Sequence, residues 1–136
     1  MTSGISRPSF VLMCDDVRQE KNGKLIIIGM YVENIGTRKV PIQLPTLSFV
    51  CRWEGASGES TSGCYTILSP SSKTISSLDI EVSDSKMKAN THLAILQYRS
   101  ITFPDIGTYR LMFKQPNRRA RNLFSFDVFM ASNESE

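Results

Sequence analysis

Apolar and polar residues alternate with a period of two along most of this chain, the spacing of strands rather than helices. Phe10 to Cys14 is a short apolar run, and the Lys21-Asn22-Gly23-Lys24 segment after it contains the Asn-Gly pair favoured in hairpin turns. Leu25 to Val32 is therefore predicted as the return strand. Glu33 to Pro45, punctuated by Gly36, Pro41 and Pro45, reads as a crossover connection. Leu47 to Trp53 places Leu47, Phe49, Cys51 and Trp53 on one face, which makes Trp53 a core residue. Gly55 to Gly63, rich in glycine and serine, turns the chain into Cys64 to Leu68, and Pro70 ends that run. Thr74 to Val82 sets Leu78, Ile80 and Val82 against Asp79 and Glu81, the alternation of a strand with one wet face. Ser83 to Asn90 is polar and reads as a loop or one helical turn. Leu93 to Ile101 is a strand, Pro104 and Gly107 mark a corner, and Tyr109 to Lys114 is the strand after it. Pro116 to Arg119 precedes a last strand in which Phe124, Phe126 and Val128 alternate with Ser125, Asp127 and Phe129. The prediction is all-β: an antiparallel β-sandwich of about eight strands, immunoglobulin-like or a related Greek key.

Composition narrows this only a little. A length of 136 residues is that of one domain, so residues 1–136 are expected to form a single sandwich with residues 1–8 and 131–136 as loose tails. Hydrophobic content of 40% and charged content of 21% are ordinary for a globular protein. The net charge of +3 is scattered and gives little reason to expect a nucleic-acid partner. No secretory pattern precedes Phe10, and the apolar run Leu25 to Val32 is eight residues against the roughly 20 that cross a bilayer as a helix, so no membrane partner is expected and the cytoplasm is the expected location.

The cysteines Cys14, Cys51 and Cys64 are odd in number and lack metal-ligand spacing, which fits free thiols in a reducing compartment and predicts neither metal nor cofactor. A two-residue turn at Ser57-Gly58 would set Cys51 opposite Cys64. Giving Leu47 and Phe49 a common face with Tyr65 and Ile67 moves the pairing by one residue and turns the two thiols to opposite faces.

Asp105-Ile106-Gly107-Thr108-Tyr109 resembles the Asp-x-Gly-x-Tyr signature that opens strand F of immunoglobulin-like sandwiches. The resemblance implies a structural corner of Asp105, Gly107 and Tyr109, with the tyrosine hydroxyl bonded to nearby backbone. Leu111 stands where an antibody-type domain has its second disulfide cysteine. Cys14-Asp15-Asp16-Val17-Arg18, with Gly23-Lys24-Leu25, Ile28-Gly29 and the Gly107-x-Tyr109 strand, resembles an uncharacterised family of small bacterial β-sandwich proteins over about residues 10 to 130. That resemblance implies a fold and supplies no site residues.

Four sets of residues invite a chemical reading. Asp15, Asp16 and Glu20 carry oxygen ligands suited to calcium, yet they lack the dense alternating carboxylates of a calcium loop, and neighbours on a strand point to opposite faces. His92 is the only histidine and has no motif joining it to a serine or cysteine nucleophile. Arg118, Arg119 and Arg121, with Lys114, form the densest basic cluster and a candidate anion-binding loop. The first hairpin is apolar on both faces. One holds Phe10, Leu12, Cys14, Leu25 and Ile27; the other holds Val11, Met13, Ile26, Ile28 and Met30. A sandwich buries one face of each sheet, so the second set is a candidate interface, to be covered by another chain or by the loop bearing Val40, Ile42 and Leu44. The expected function is a non-catalytic cytoplasmic interaction or structural module whose partner is a second copy or another protein, self-associating through this hairpin. A small-ligand or nucleotide-binding protein using the Arg118 to Arg121 loop is the alternative, and a cryptic hydrolase the third.

Overall fold

The alternation read from the sequence becomes nine strands in the computed structural model, which describes residues 7–32, 34–54, 62–81 and 91–131. They are β1 (Phe10–Gln19), β2 (Leu25–Tyr31), β3 (Ile35–Thr37), β4 (Ile42–Glu54), β5 (Gly63–Leu68), β6 (Thr74–Ile80), β7 (Thr91–Phe103), β8 (Gly107–Lys114) and β9 (Arg121–Met130). All the described regular structure is strand, in a four-stranded sheet ordered β2-β1-β4-β7 and a five-stranded sheet ordered β3-β9-β8-β5-β6. Val82, the Ser57-Gly58 turn and the Ser83 to Asn90 segment lie outside the described residues.

Two expectations are corrected. The Glu33 to Pro45 connection is not a plain crossover: it contains β3, which pairs in parallel with β9, and it ends where β4 begins at Ile42. The nine strands in two sheets accord with the sandwich of about eight expected from the sequence, with one parallel pair, β3 with β9, among antiparallel ones. Strand ends also run past the apolar segments, because ladder hydrogen bonds are made by backbone whatever the side chain. Thus β4 and β7 stay in register from Ile42↔Phe103 to Glu54↔Thr91.

The inner faces meet in one aromatic core. Phe49, Trp53, Tyr65, Phe103, Tyr109, Phe113 and Phe126 are all essentially inaccessible. The Trp53 indole N–H donates to the Tyr65 hydroxyl at 3.2 Å, which satisfies a polar group that burial would otherwise penalise by about 1–3 kcal/mol. Tyr109 packs its ring between Phe103 at 4.9 Å and Phe126 at 5.7 Å. Its hydroxyl donates to the Asp105 carbonyl oxygen at 2.8 Å and accepts the Asp105 N–H at 3.1 Å, closing the turn from β7 to β8. Gly107 there has φ +135°, and a Cβ would stand 2.8 Å from Pro70 Cγ, so both conformation and space require glycine.

Because β4 and β5 belong to different sheets, Cys51 and Cys64 share no ladder, and the register weighed for them does not arise. All three cysteines are free: Cys51 faces the core, Cys14 is buried, and Cys64 is half-buried on β5.

Candidate functional site

The first hairpin folds differently from either expectation. β1 is an interior strand of its sheet, and its pairs Val11↔Cys51 and Met13↔Phe49 point into the main core. Met13 is 1% exposed and the half-buried Val11 packs against the same cluster, so both serve the core rather than the interface expected of them. The last pair between β1 and β4 is Cys14↔Ser48. Beyond it the hairpin tip lies over the outer face of its own sheet, where Val17, Leu25 and Ile27 pack with Cys14, Val50, Leu93 and Ile95 in a second apolar cluster. The cover for that face is therefore the hairpin itself. Val40, Ile42 and Leu44, predicted as a possible lid, pack against the main core.

Polar side chains fix this fold-over. Gln97 on β7 donates from Nε2 to Asp16 Oδ1 and to the Val17 carbonyl oxygen, each at 3.3 Å. The Thr46 hydroxyl donates to the Asp15 carbonyl oxygen at 2.8 Å. Asp16 accepts from Arg18 Nε at 2.9 Å and from the Val17 N–H at 2.9 Å; the Arg18 hydrogen bond, then the Val17 one, hold its carboxyl below the ordinary aspartate value. Asp15 accepts from the Tyr31 hydroxyl at 2.8 Å, and burial followed by this carboxylate pushes the Tyr31 phenol up. Gly29, at φ +66°, lets the Asp15 side chain cross where a Cβ would stand. Of the acids read as calcium candidates, Asp15 and Asp16 are thus engaged as hairpin braces, and Glu20 enters the hairpin turn through its backbone. Among the described residues no three His, Cys, Asp or Glu side chains group as metal ligands.

With Val17, Leu25 and Ile27 turned inward, the other side of the hairpin faces solvent: Ile26 is 44% exposed, Ile28 42% and Met30 55%. These three residues of the predicted interface set remain at the surface. They lie on β2, which is an edge strand, and Leu25–Tyr31 contains neither charge nor proline. Natural edges are usually guarded by one or the other.

The basic residues sit at one pole of the sandwich, where β4, β6 and β8 end and β5, β7 and β9 begin. Arg121 opens β9 opposite Phe113, and its guanidinium carbon lies 5.4 Å from the centre of that ring. Arg7, from the chain before β1, donates from Nη1 to the Asn122 carbonyl oxygen at 3.1 Å and so joins the same pole. Burial, then the Arg7 and Arg118 charges, lower the Arg121 pKa. Arg118 is set by a turn in which its N–H donates to the Gln115 carbonyl oxygen at 3.2 Å, with Asn117 at φ +62°. Of the predicted loop cluster, Arg118 and Arg121 come together, and Arg119 is exposed beside them. Lys114 turns its ammonium to the Gln115 carbonyl oxygen at 2.8 Å. It lines an open cleft of about 660 Å³ with Cys64, Asp79, Glu81 and Pro116. His92 on β7 pairs with core-facing Trp53, whereas Cys64 on β5 precedes core-facing Tyr65 and so points to the outer face of the other sheet.

Two contributions to these surfaces are not local in the sequence. Arg7 lies in the segment expected to be a loose tail, and its bond to Asn122 depends on β1 leading away from the start of β9, a non-local fact. Leu93, Ile95 and Gln97 gave a partial signal, since Leu93 and Ile95 alternate with core residues Ala94 and Leu96 and so left an apolar outer face needing cover.

No helix among the described residues is long and apolar enough to cross a membrane. A search of curated proteins finds no match to the chain. The family model of DUF6941, a family of unknown function, matches residues 9–123, which takes in every strand from β1 to β8, the folded-back hairpin and the tyrosine corner; the chain belongs to that family.

Proposed function

We propose that this protein is a non-catalytic interaction module that self-associates through the free edge of β2, two copies pairing about a two-fold axis. One observation carries the reading: an edge strand with solvent-facing Ile26, Ile28 and Met30 and no guarding charge or proline. The occupant that suits such an edge is another extended strand. A second copy of β2 supplies one, because an antiparallel pair about a two-fold axis offers the same residues from both sides. Centred on Ile28, that pairing sets Ile26 against Met30 of the other copy and joins the two four-stranded sheets into one. Free thiols support a reducing, cytoplasmic setting. A bacterial source is what the Cys14-Asp15 and Ile28-Gly29 resemblance supports.

Ile28→Lys is the test. The side chain is already partly in water, so the lysine leaves the monomer's stability within about 0.5 kcal/mol of wild type. In a dimer it must be desolvated without a partner, at a cost of several kcal/mol. Wild type at tens of micromolar should run at twice the monomer mass in light-scattering chromatography, and the variant as a folded monomer. A monomeric wild type rejects the proposal, as does a variant that remains a dimer.

A further inference from the structure

We infer that Cys64, with Asp79 and Lys114 on the strands to either side of it, is a thiol–disulfide exchange site for a small disulfide whose halves each carry an ammonium and a carboxylate. This goes beyond self-association and lies on the sheet that does not contain β2. Two observations meet there. The register sets Cys64 on β5 opposite Asp79 on β6 and opposite Lys114 on β8, so acid, thiol and amine form one row across three adjacent strands. Their chain neighbours Tyr65 and Phe113 are buried and Leu78 packs against the core, which turns the whole row to the outer face. The second observation is the open cleft of about 660 Å³ whose lining includes all three, with Glu81 beside Asp79 and Pro116 beside Lys114. Asp79 and Lys114 are exposed and Cys64 is half-buried between them, a thiol recessed in the cleft yet reached from solvent.

Chemistry then selects the ligand. Neighbouring strands lie about 4.8 Å apart, so the acid and the amine start roughly 10 Å from one another with the thiol midway. A ligand sulfur that meets Cys64 Sγ therefore has a carboxylate on one side and an ammonium on the other. An α-amino acid end presents the matching pair, its ammonium to Asp79 and Glu81 and its carboxylate to Lys114. Lys114 gives one of its three N–H donors to the Gln115 carbonyl oxygen at 2.8 Å, which leaves two for a carboxylate. Thr66 Oγ1 lies 3.5 Å from Cys64 Sγ and 2.9 Å from Ser77 Oγ, so a pair of hydroxyls borders the sulfur along β5. In the exchange the Cys64 thiol gives its proton to solvent and its sulfur attacks one ligand sulfur. The new S–S bond to Cys64 forms as the ligand's own S–S bond breaks, and the released half leaves as a thiolate that takes up a proton. Cys64 is oxidised by the reduction of that half, and no further oxidant enters.

The test mixes the full, reduced chain at neutral pH with three disulfides: cystine, with both charges on each half; cystamine, with the ammonium alone; and dithiodipropionate, with the carboxylate alone. Rates of mixed-disulfide formation are read by intact mass and peptide mapping, each divided by the rate of the same reagent with a simple peptide thiol. Addition of one half-cystine at Cys64 is expected, at a relative rate about fivefold above either singly charged reagent. Asp79→Asn should cut that rate about threefold without slowing dithiodipropionate, and Lys114→Gln should cut it about threefold without slowing cystamine. Lys73→Gln, at an exposed cation between β5 and β6, is the control for diffuse charge and should leave the rate unchanged. A wild type with no preference for cystine overturns the inference. So does addition at Cys14 or Cys51 in place of Cys64, or equal slowing by Lys73→Gln and Lys114→Gln, which would mean general attraction rather than a site. A variant that unfolds would be labelled at all three thiols, and the wild-type order of the three disulfides then decides alone.

Discussion

Replacing Tyr109 by phenylalanine isolates the corner from the core. The ring keeps its contacts with Phe103 and Phe126, so no cavity opens. What is lost is the hydroxyl, which donates to the Asp105 carbonyl oxygen at 2.8 Å and accepts the Asp105 N–H at 3.1 Å. Each such bond contributes about 0.5–1.5 kcal/mol net, a gross loss of about 1–3 kcal/mol. Asp105 is itself exposed, so water recovers part of the loss, and about 1–2 kcal/mol is expected. For a chain of 136 residues this lowers the thermal midpoint by roughly 3–7 °C. Urea unfolding should show a lower midpoint with an unchanged slope, because the surface exposed on unfolding is the same. Hydrogen exchange should lose protection at the Asp105 amide and keep it at Leu111 in mid-strand. An unchanged midpoint would refute the corner's energetic role. A lower midpoint with Asp105 still protected would show that the loss arises elsewhere.

Two further outcomes follow from the buried ionisable groups. Burial pushes the Cys51 thiol from 9.0 up to about 12, and burial likewise raises Tyr65 and Tyr98. The unfolded chain therefore releases protons that the fold retains, so stability is intact below about pH 9 and declines as pH rises from there toward 12. Urea midpoints should fall across that window, less steeply in Cys51→Val, and a flat profile would contradict the burial. In the native protein at neutral pH the half-buried Cys64 should react with an aromatic disulfide reagent well before Cys14 and Cys51. After unfolding without reductant all three thiols should titrate, and finding only one would reveal a disulfide that this fold does not contain.

How far the sequence could be read depended on whether a feature was local. The faces of β4, β8 and β9 were legible because alternation assigns Phe49, Leu111 and Phe126 inward without reference to any partner. The corner was legible because Asp105, Gly107 and Tyr109 are contiguous. β3 was not, since Ile35–Thr37 is three residues long and is a strand only because β9 runs beside it. The hairpin shows most clearly where local pattern ends. Alternation correctly separated Val11 and Met13 from Leu12 and Cys14, but both faces were apolar, and period alone does not say which face meets which neighbour. The answer lay in β7, some 80 residues further along the chain, where Leu93 and Ile95 present an apolar outer face and Gln97 reaches Asp16 and Val17. Val11 and Met13 could enter the core only because the hairpin tip covers the opposite face. The same movement turns Ile26, Ile28 and Met30 outward, so the exposed edge of β2 is a consequence of how the hairpin satisfies the rest of its apolar surface.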